Sequence, residues 1–178
     1  MQLKSILLGT ICTWIMCTLV PIQVASDHPA KNVRILEITK VELDTEGKVQ
    51  IQYGDGKKYI APKEDQQKEN NVPVIAPDRQ TVAWTVNFEN CCTSYNIPLT
   101  LVVFRSGKII QRIKPGLMIA NWMFVDNGRR IGIYSNTVHG DFGPTYDLYD
   151  TTSGKRLKQI RGPLDEKSPL WAKQLGDN

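Results

Sequence analysis

Apolar and polar residues alternate along most of the chain, which is the pattern of half-buried β-strands. In the N-terminal third, residues 49–53 place valine, isoleucine and tyrosine between glutamines. The Gly-Asp-Gly turn at residues 54–56 suits a tight hairpin, because its Asp-Gly pair tolerates the positive φ angles of such a turn. With a long strand over residues 33–43 and a returning strand over 57–61, we predict an N-terminal antiparallel meander within residues 27–61.

The second half of the chain contains a repeated arrangement of short strands. In each copy a strand follows an aspartate-containing turn, and a later turn contains Ser-Gly-Lys. The glycines of these two later turns, Gly107 and Gly154, are 47 positions apart. A period of about 40 to 50 residues built of short strands is typical of β-propeller blades. We therefore predict two repeat units, residues 74–116 and residues 117–162.

Two segments depart from the strand pattern. Residues 62–73 consist mostly of charged and amide residues without a period, which predicts an exposed polar loop. The tail, residues 163–178, offers Ser168 as a helix N-cap, Pro169 as the first helical residue and Gly176 just past the helix end. These residue types at these positions predict a short C-terminal helix.

The first residues have the organisation of a secretory signal peptide. Lys4 is the only charged residue before an apolar stretch of 15 residues, 6–20, which ends at Pro21. Small residues then precede a cleavage point after Ser26. A membrane-spanning helix needs about 20 apolar residues, so we predict a cleaved signal over residues 1–26, with a retained anchor as the alternative. The predicted location is periplasmic or secreted, with no stable membrane insertion after cleavage.

The cysteines and the net charge narrow the function classes. Cleavage of the signal would remove Cys12 and Cys17 and leave Cys91 and Cys92 as an adjacent pair. In an oxidising compartment this pair could form a vicinal disulfide or bridges between chains, or it could stay as two buried thiols. The formal net charge of +4 is too small to indicate nucleic acid as a partner.

Short motifs in the two repeat units resemble the PD40 repeats of TolB-like, WD40-like β-propeller proteins. Residues 76–85, APDRQTVAWT, resemble the opening strand of such a repeat, and residues 122–131, WMFVDNGRRI, resemble its aromatic variant. The DLYD and SGK motifs within residues 147–155 resemble the hairpin that closes it. The resemblance covers about residues 74–162. It departs from the family in the first unit, which lacks the usual turn glycine.

The resemblance implies a binding scaffold without a fixed reaction class. A closed propeller takes at least about four blades, so two units do not form one alone. The predicted fold class is all-β: antiparallel meander sheets resembling two propeller blades, with an N-terminal hairpin sheet and a short C-terminal helix, in one domain over residues 27–178. The motif at residues 90–99, NCCTSYNIPL, also resembles a motif of small exported bacterial proteins, with which no activity is associated.

The long loop of each repeat unit carries the candidate binding residues. The loop of the first unit contains Cys91, Cys92 and Tyr95, and the loop of the second contains His139 and Asp141. If the units stack as repeats do, both loops lie at one edge, and these side chains are predicted to form a shallow binding surface. The alternative is structural: the cysteine pair staples its loop, and the polar groups make turn hydrogen bonds.

Basic residues cluster near the end of the second unit, at Lys155, Arg156, Lys158 and Arg161. They could contact an acidic partner, or they could be the solvated face of an edge strand, where lysines discourage aggregation. Asp147, on the preceding predicted strand, belongs with the acids around the second loop, which form a weak candidate for ligand or acid–base chemistry.

The sequence lacks the nucleophile-elbow, zinc-protease, phosphate-loop and dinucleotide-binding motifs. We therefore predict no catalytic residues, no metal and no cofactor. The predicted function is an exported binding or interaction module of propeller-blade-like repeats, whose partner is another protein or a second copy of the chain. The alternative is a thiol-active or hydrolytic envelope enzyme centred on Cys91, Cys92 and His139.

Overall fold

A computed structural model describes residues 36–91, 93–139 and 143–176. The predicted signal peptide, Cys92 and Asp141 lie outside these residues. The described residues form three antiparallel sheets and one short helix. The strands are β1 (Ile38–Leu43), β2 (Val49–Tyr53), β3 (Lys58–Ile60), β4 (Gln67–Asn70), β5 (Val74–Ile75), β6 (Thr81–Phe88), β7 (Ile97–Arg105), β8 (Lys108–Ile113), β9 (Met118–Val125), β10 (Arg130–Asn136), β11 (Thr145–Asp150) and β12 (Arg156–Arg161), and the helix is α1 (Leu170–Gly176).

Sheet A is a three-stranded meander in the order β1-β2-β3. An aspartate side chain closes its first hairpin, since Asp44 Oδ1 accepts the backbone N–H groups of Glu46 and Lys48, both at 2.9 Å. Such turns hold a chain reversal through a local side chain. The predicted N-terminal meander is confirmed over its described part.

Sheet B contains β6, β7 and β8, while β4 and β5 share the remaining edge of β6. Within the predicted polar loop of residues 62–73, Gln67–Asn70 instead forms β4. This strand is held by its backbone pairing with β6 and by the buried Gln67 side chain, whose Oε1 accepts the Glu64 N–H at 2.8 Å. Because no apolar face is involved, the hydrophobic pattern does not reveal the strand.

Sheet C is a four-stranded meander in the order β9-β10-β11-β12. Its central strand β10 pairs with both neighbours, so that Ile131 lies between Phe124 and Tyr149. The turn between β11 and β12 is again closed by an aspartate, because Asp150 Oδ1 accepts the Ser153 N–H at 2.8 Å. The strands predicted for the second repeat unit are therefore present.

Sheet B lies between the other two sheets and is buried on both faces. Successive residues of β6 point to opposite faces, so Val82 and Trp84 pack toward sheet A while Ala83 packs toward sheet C. The buried core between sheets A and B comprises Ile38, Val49, Ile51, Ala61, Val82, Trp84, Val86, Val102 and Phe104. The buried core between sheets B and C comprises Ala83, Leu101, Val103, Ile113, Ile119, Ile131, Ile133 and Tyr149.

Helix α1 covers the outer face of sheet C. Ala172 and Leu175 are buried there together with Tyr146. A Cβ atom placed on Gly132 of β10 would lie 2.9 Å from Leu175 Cδ1, so the helix approaches the sheet where a side chain is missing. The predicted C-terminal helix is confirmed.

Both ends of α1 differ from the prediction by one residue, since the helix begins at Leu170 and Gly176 is its last residue. The Pro169 carbonyl accepts the Lys173 N–H at 3.3 Å, which gives Pro169 the capping position rather than the first helical one. Ser168 Oγ is engaged elsewhere, because it accepts the Asp165 N–H at 2.9 Å and donates to Asp165 Oδ1 at 2.7 Å. Among the described residues no helix is long and apolar enough to span a membrane.

The outer face of sheet A is polar and completes the stack on the other side. On this face Glu42 is paired with Gln50, and Lys40 with Gln52. The layers are thus sheet A, sheet B, sheet C and the helix, with apolar cores between them. The predicted all-β class is confirmed, and the three sheets of the described chain do not close into a barrel.

The turns before β6 and β10 lie together at one end of the stack. A Cβ atom on Gly128, in the turn before β10, would lie 2.9 Å from the Cβ atom of Ala76, in the turn before β6. Because both strands start at this end, the chain segments that follow them leave from the opposite end. The same opposite end holds the connection between β8 and β9.

Candidate functional site

The predicted loop residues that the structure describes are exposed. Tyr95 has 58% of its surface exposed, and Cys91 and His139 are exposed as well. The loop after β6 is organised internally, since Thr93 Oγ1 donates to the Tyr95 carbonyl at 2.6 Å. Whether Cys91 pairs with Cys92 stays a prediction, because Cys92 is not described.

These loop residues are not gathered around one described cavity. A cavity of about 320 Å³ beside Tyr95 is lined by Lys68 of β4 and by residues of the loop after β6. His139 is not among its lining residues. In addition, the described residues contain no group of three or more His, Cys, Asp or Glu side chains that could hold a metal ion. The alternative enzymatic centre therefore keeps only its basis in the sequence.

A larger cleft of about 780 Å³ lies beside the edge strand β12. One wall is the connection between β8 and β9, and the other is formed by the ends of β11 and β12. We call this region the β12 cleft. It is lined by Pro115, Gly116, Leu117, Gly143, Thr145, Arg156, Gln159, Arg161 and Gly162.

A β-bulge directs Arg156 toward the same side of sheet C as Gln159 and Arg161. Tyr149 pairs with Arg156 and Leu148 pairs with Lys158, which leaves Leu157 as the extra residue of β12. In a regular strand, residues 156 and 159 would point to opposite faces. The bulge removes this opposition, and the guanidinium group of Arg156 reaches the carboxylate of Asp147.

Asp147 is the buried centre of the site. Its side chain is 1% exposed, and its Oδ1 accepts the Gln159 Nε2–H at 2.9 Å. The Nη1 atom of Arg156 lies 3.7 Å from the same oxygen. Gln159 Oε1 in turn accepts the Arg161 Nε–H at 3.0 Å. A buried carboxylate thus orients both guanidinium groups of the cleft, Arg156 directly and Arg161 through Gln159.

Burial controls the protonation of this cluster. It raises the pKa of Asp147, while the hydrogen bond from Gln159 and the positive charges of Arg156 and Arg161 act in the opposite direction. Burial and the Asp147 carboxylate also raise the pKa of Tyr149. The second carboxylate oxygen of Asp147, Oδ2, has no hydrogen-bond partner among the described residues. An unsatisfied buried oxygen is unusual in a structural ion pair.

The arrangement is suited to binding an anionic group. A guanidinium group presents a planar fork of donors that matches a carboxylate or a phosphate. Gly116 and Gly162 leave the backbone of the cleft walls open to close approach. Pro115 and Leu117 add an apolar surface beside the charges.

No family model matches this chain. A search of curated proteins also found no similar sequence. The resemblance to PD40 repeats therefore stays a prediction, and the geometry of the β12 cleft is the basis for inferring function.

Both halves of this site are recognisable in the sequence. Arg156 and Arg161 are in the predicted basic stretch, and Asp147 is among the acids of the second unit. The chain spacing did not show that they meet, because the contact depends on the bulge at Leu157. The only available signal was an aspartate within a strand whose neighbours are apolar or aromatic.

Proposed function

We propose that this chain is an exported binding module that recognises an anionic group of its ligand in the β12 cleft. The observation that carries the proposal is the pair of arginines oriented by the buried Asp147. A side chain that is oriented before binding loses less conformational freedom when a ligand arrives. The proposed module uses this preorganised pair for recognition and does not require a reaction.

Charge balance supports an anionic ligand. Asp147 can neutralise only one of the two guanidinium groups, and residues 154–162 contain no acidic residue. The side chain of Arg156 is still 47% exposed although it contacts Asp147. The described residues of the cleft therefore carry a net positive charge, which favours an anion that accepts hydrogen bonds from the guanidinium groups.

Export is the part of the proposal that rests on residues 1–26. The resemblance to PD40 repeats supports a scaffold role, and the adjacent cysteines suit an oxidising compartment. An intact mass of the protein recovered from the envelope or the medium tests this part. We expect cleavage after Ser26 and a gain of two hydrogen atoms on reduction, as a Cys91–Cys92 disulfide requires. A full-length mass in the membrane fraction would contradict export by cleavage.

Anion recognition can be tested by nuclear magnetic resonance. We expect glutarate and inorganic phosphate to shift the Nε–H signals of Arg156 and Arg161 and the amide signals of Gly143 and Gly162. Replacing Arg161 by glutamine should weaken binding about tenfold, since a hydrogen bond to a charged group contributes about 1.5 kcal/mol.

The control variant is Lys58→Gln, which removes one positive charge from another edge strand, β3. It should leave binding unchanged. If Lys58→Gln and Arg161→Gln weakened binding equally, the effect would come from net charge and the cleft would not be the site. If neither anion shifted any cleft signal, anion recognition would be wrong.

A further inference from the structure

The lining of the β12 cleft includes residues from both ends of an edge strand. These are Arg156 at the start of β12 and Gly162 just past its end. Six residues of a strand extend about 20 Å, which is much longer than a single carboxylate or phosphate. Among the described strands, β12 pairs only with β11, so its other edge offers backbone groups for pairing.

We propose that the occupant of the cleft is an extended acidic segment of a partner protein, which adds to β12 as a fifth strand of sheet C. This inference rests on the anion recognition proposed above. Strand addition provides affinity through backbone hydrogen bonds and specificity through alternate side chains. Here the alternate side chains of the partner would be carboxylates facing Arg156 and Arg161.

The charges of β12 favour an acidic strand on either face. Gln159 and Arg161 line the cleft. Lys158 pairs with Leu148, on the side of the sheet where α1 packs. Carboxylates on both faces of an added strand would therefore meet a cation, and cross-strand pairs of opposite charge stabilise a sheet.

Basic residues on an edge strand also discourage unwanted pairing, and β8 provides a comparison within the same chain. Strand β8 is the corresponding edge of sheet B. Its Arg112 is neutralised within the chain, because Arg112 Nε donates to both carboxylate oxygens of Glu64 at 2.8 and 2.7 Å. Within the described part of the chain, the cations of β12 have no such carboxylate partner other than the shared, buried Asp147. The β12 edge therefore retains positive charge for an external strand.

The test uses the purified protein and an acetylated peptide of about six residues in which glutamate and threonine alternate. Two N-methylated derivatives of this peptide are isomers of each other. One carries the methyl groups on all glutamate nitrogens and the other on all threonine nitrogens. In an added strand, alternate N–H groups point toward β12. We expect one isomer to bind about tenfold more weakly than the parent peptide and the other to bind like the parent. Amide hydrogen exchange of residues 155–162 should slow only with the peptides that bind.

The outcomes separate this inference from the proposed function. If both isomers bind like the parent and residues 155–162 stay unprotected, strand addition is overturned while anion recognition stands. The same holds if glutarate competes as strongly as the whole peptide. If neither the peptides nor glutarate and phosphate bind, both proposals fail. Arg161→Gln should weaken the parent peptide about tenfold, and Lys58→Gln should not.

Discussion

Sheets B and C end in the same kind of hairpin, yet apolar side chains meet within it in sheet B and charged side chains meet within it in sheet C. Each final strand contains a β-bulge at the same position relative to its turn, at Ile110 in β8 and at Leu157 in β12. Next to the bulge, Phe104 is paired with Ile109 in sheet B, whereas Tyr149 is paired with Arg156 in sheet C. The backbone is alike, and the side chains decide what it holds.

The position two residues before Phe104 and Tyr149 also differs between the two sheets. Val102 of sheet B is fully buried and apolar, and its counterpart in sheet C is Asp147. The bulge directs Ile109 in sheet B and Arg156 in sheet C toward this position. Val102 and Ile109 therefore pack in an apolar core, whereas Asp147 and Arg156 form an ion pair beside the cleft. The comparison teaches that the side chains on a repeated hairpin decide whether a position packs in the core or contributes to a candidate binding site.

The largest effect on stability is expected from Phe104, the aromatic residue beside the bulge in sheet B. Phe104 is fully buried between sheets A and B and its ring centroid lies 4.5 Å from that of Tyr59. We expect Phe104→Ala to lower the free energy of unfolding by about 3 to 5 kcal/mol, because it leaves a cavity. Denaturant unfolding measures this loss.

Tyr95→Ala is the matched control for an aromatic residue, because Tyr95 is exposed on a loop. It should change stability by less than about 0.5 kcal/mol. A loss below about 1 kcal/mol for Phe104→Ala would mean that sheets A and B are not held together by this core.

The next largest effect on stability is expected where a neighbouring layer packs on each sheet. Ala83 in β6 and Gly132 in β10 occupy matching positions, but Ala83 faces a sheet and Gly132 faces α1. In Gly132→Ala the new Cβ would meet Leu175 at 2.9 Å and Trp171 at 3.2 Å. We expect a loss of about 1 to 3 kcal/mol from overpacking, measured by thermal or denaturant unfolding.

Gly54→Ala provides the control for this substitution. Its Cβ would have only an ordinary contact, 3.6 Å from Thr39. If both alanine variants were equally stable, α1 would not pack on sheet C as closely as described.

The strands of the fold could be predicted from the sequence because half-buried strands alternate apolar and polar residues. β2 shows this directly, with Val49 and Ile51 buried and their neighbours partly exposed. The pattern could not reveal β4, whose stability comes from backbone pairing and a buried glutamine. It also could not reveal that β6 is buried on both faces, which depends on a third layer.

The candidate site was less predictable than the fold. The predicted binding surface lies on the loops with Cys91 and His139, because thiol and imidazole side chains can bind ligands or take part in acid–base reactions. The β12 cleft depends instead on a bulge and on the connection between β8 and β9, which are distant in sequence. Whether the loop residues also bind a ligand stays a prediction.

Exchanging the charged pair for the apolar pair tests the comparison itself. The double variant Asp147→Val with Arg156→Ile gives sheet C the residues that sheet B has at Val102 and Ile109. Replacing a buried ion pair by apolar residues of suitable size is neutral or stabilising in other proteins. We expect stability within about 1 kcal/mol of the original, with loss of anion binding.

Arg156→Met alone is the informative control, because it leaves the Asp147 carboxylate buried without its cation. It should lower the free energy of unfolding by about 1 kcal/mol, more than the double variant does. A double variant that binds glutarate normally would show that the ion pair does not organise the cleft.

The smallest effect is the pH dependence of Asp147. Burial raises its pKa in the folded protein above the ordinary value of 3.8, so between these two pKa values the folded state binds more protons than the unfolded state. The free energy of unfolding contributed by this group therefore falls as pH rises through that window. Asp147→Asn keeps an oxygen for the hydrogen bond from Gln159 but does not titrate.

We expect the stability of Asp147→Asn relative to the original protein to increase as pH rises through the window between the unfolded and the folded pKa of Asp147. The gain is about 1.4 kcal/mol for each pH unit by which folding raises this pKa. Asp150 and Asp165 have lowered pKa values because of their hydrogen bonds to Ser153 and Ser168, but they occur in both proteins and cancel in the difference. Denaturant unfolding at several pH values measures this difference. If the two stability curves stayed parallel, the pKa of Asp147 would be the same in the folded and the unfolded protein. The Gln159 hydrogen bond and the charges of Arg156 and Arg161 would then fully offset the effect of burial, and the prediction that burial dominates would be wrong.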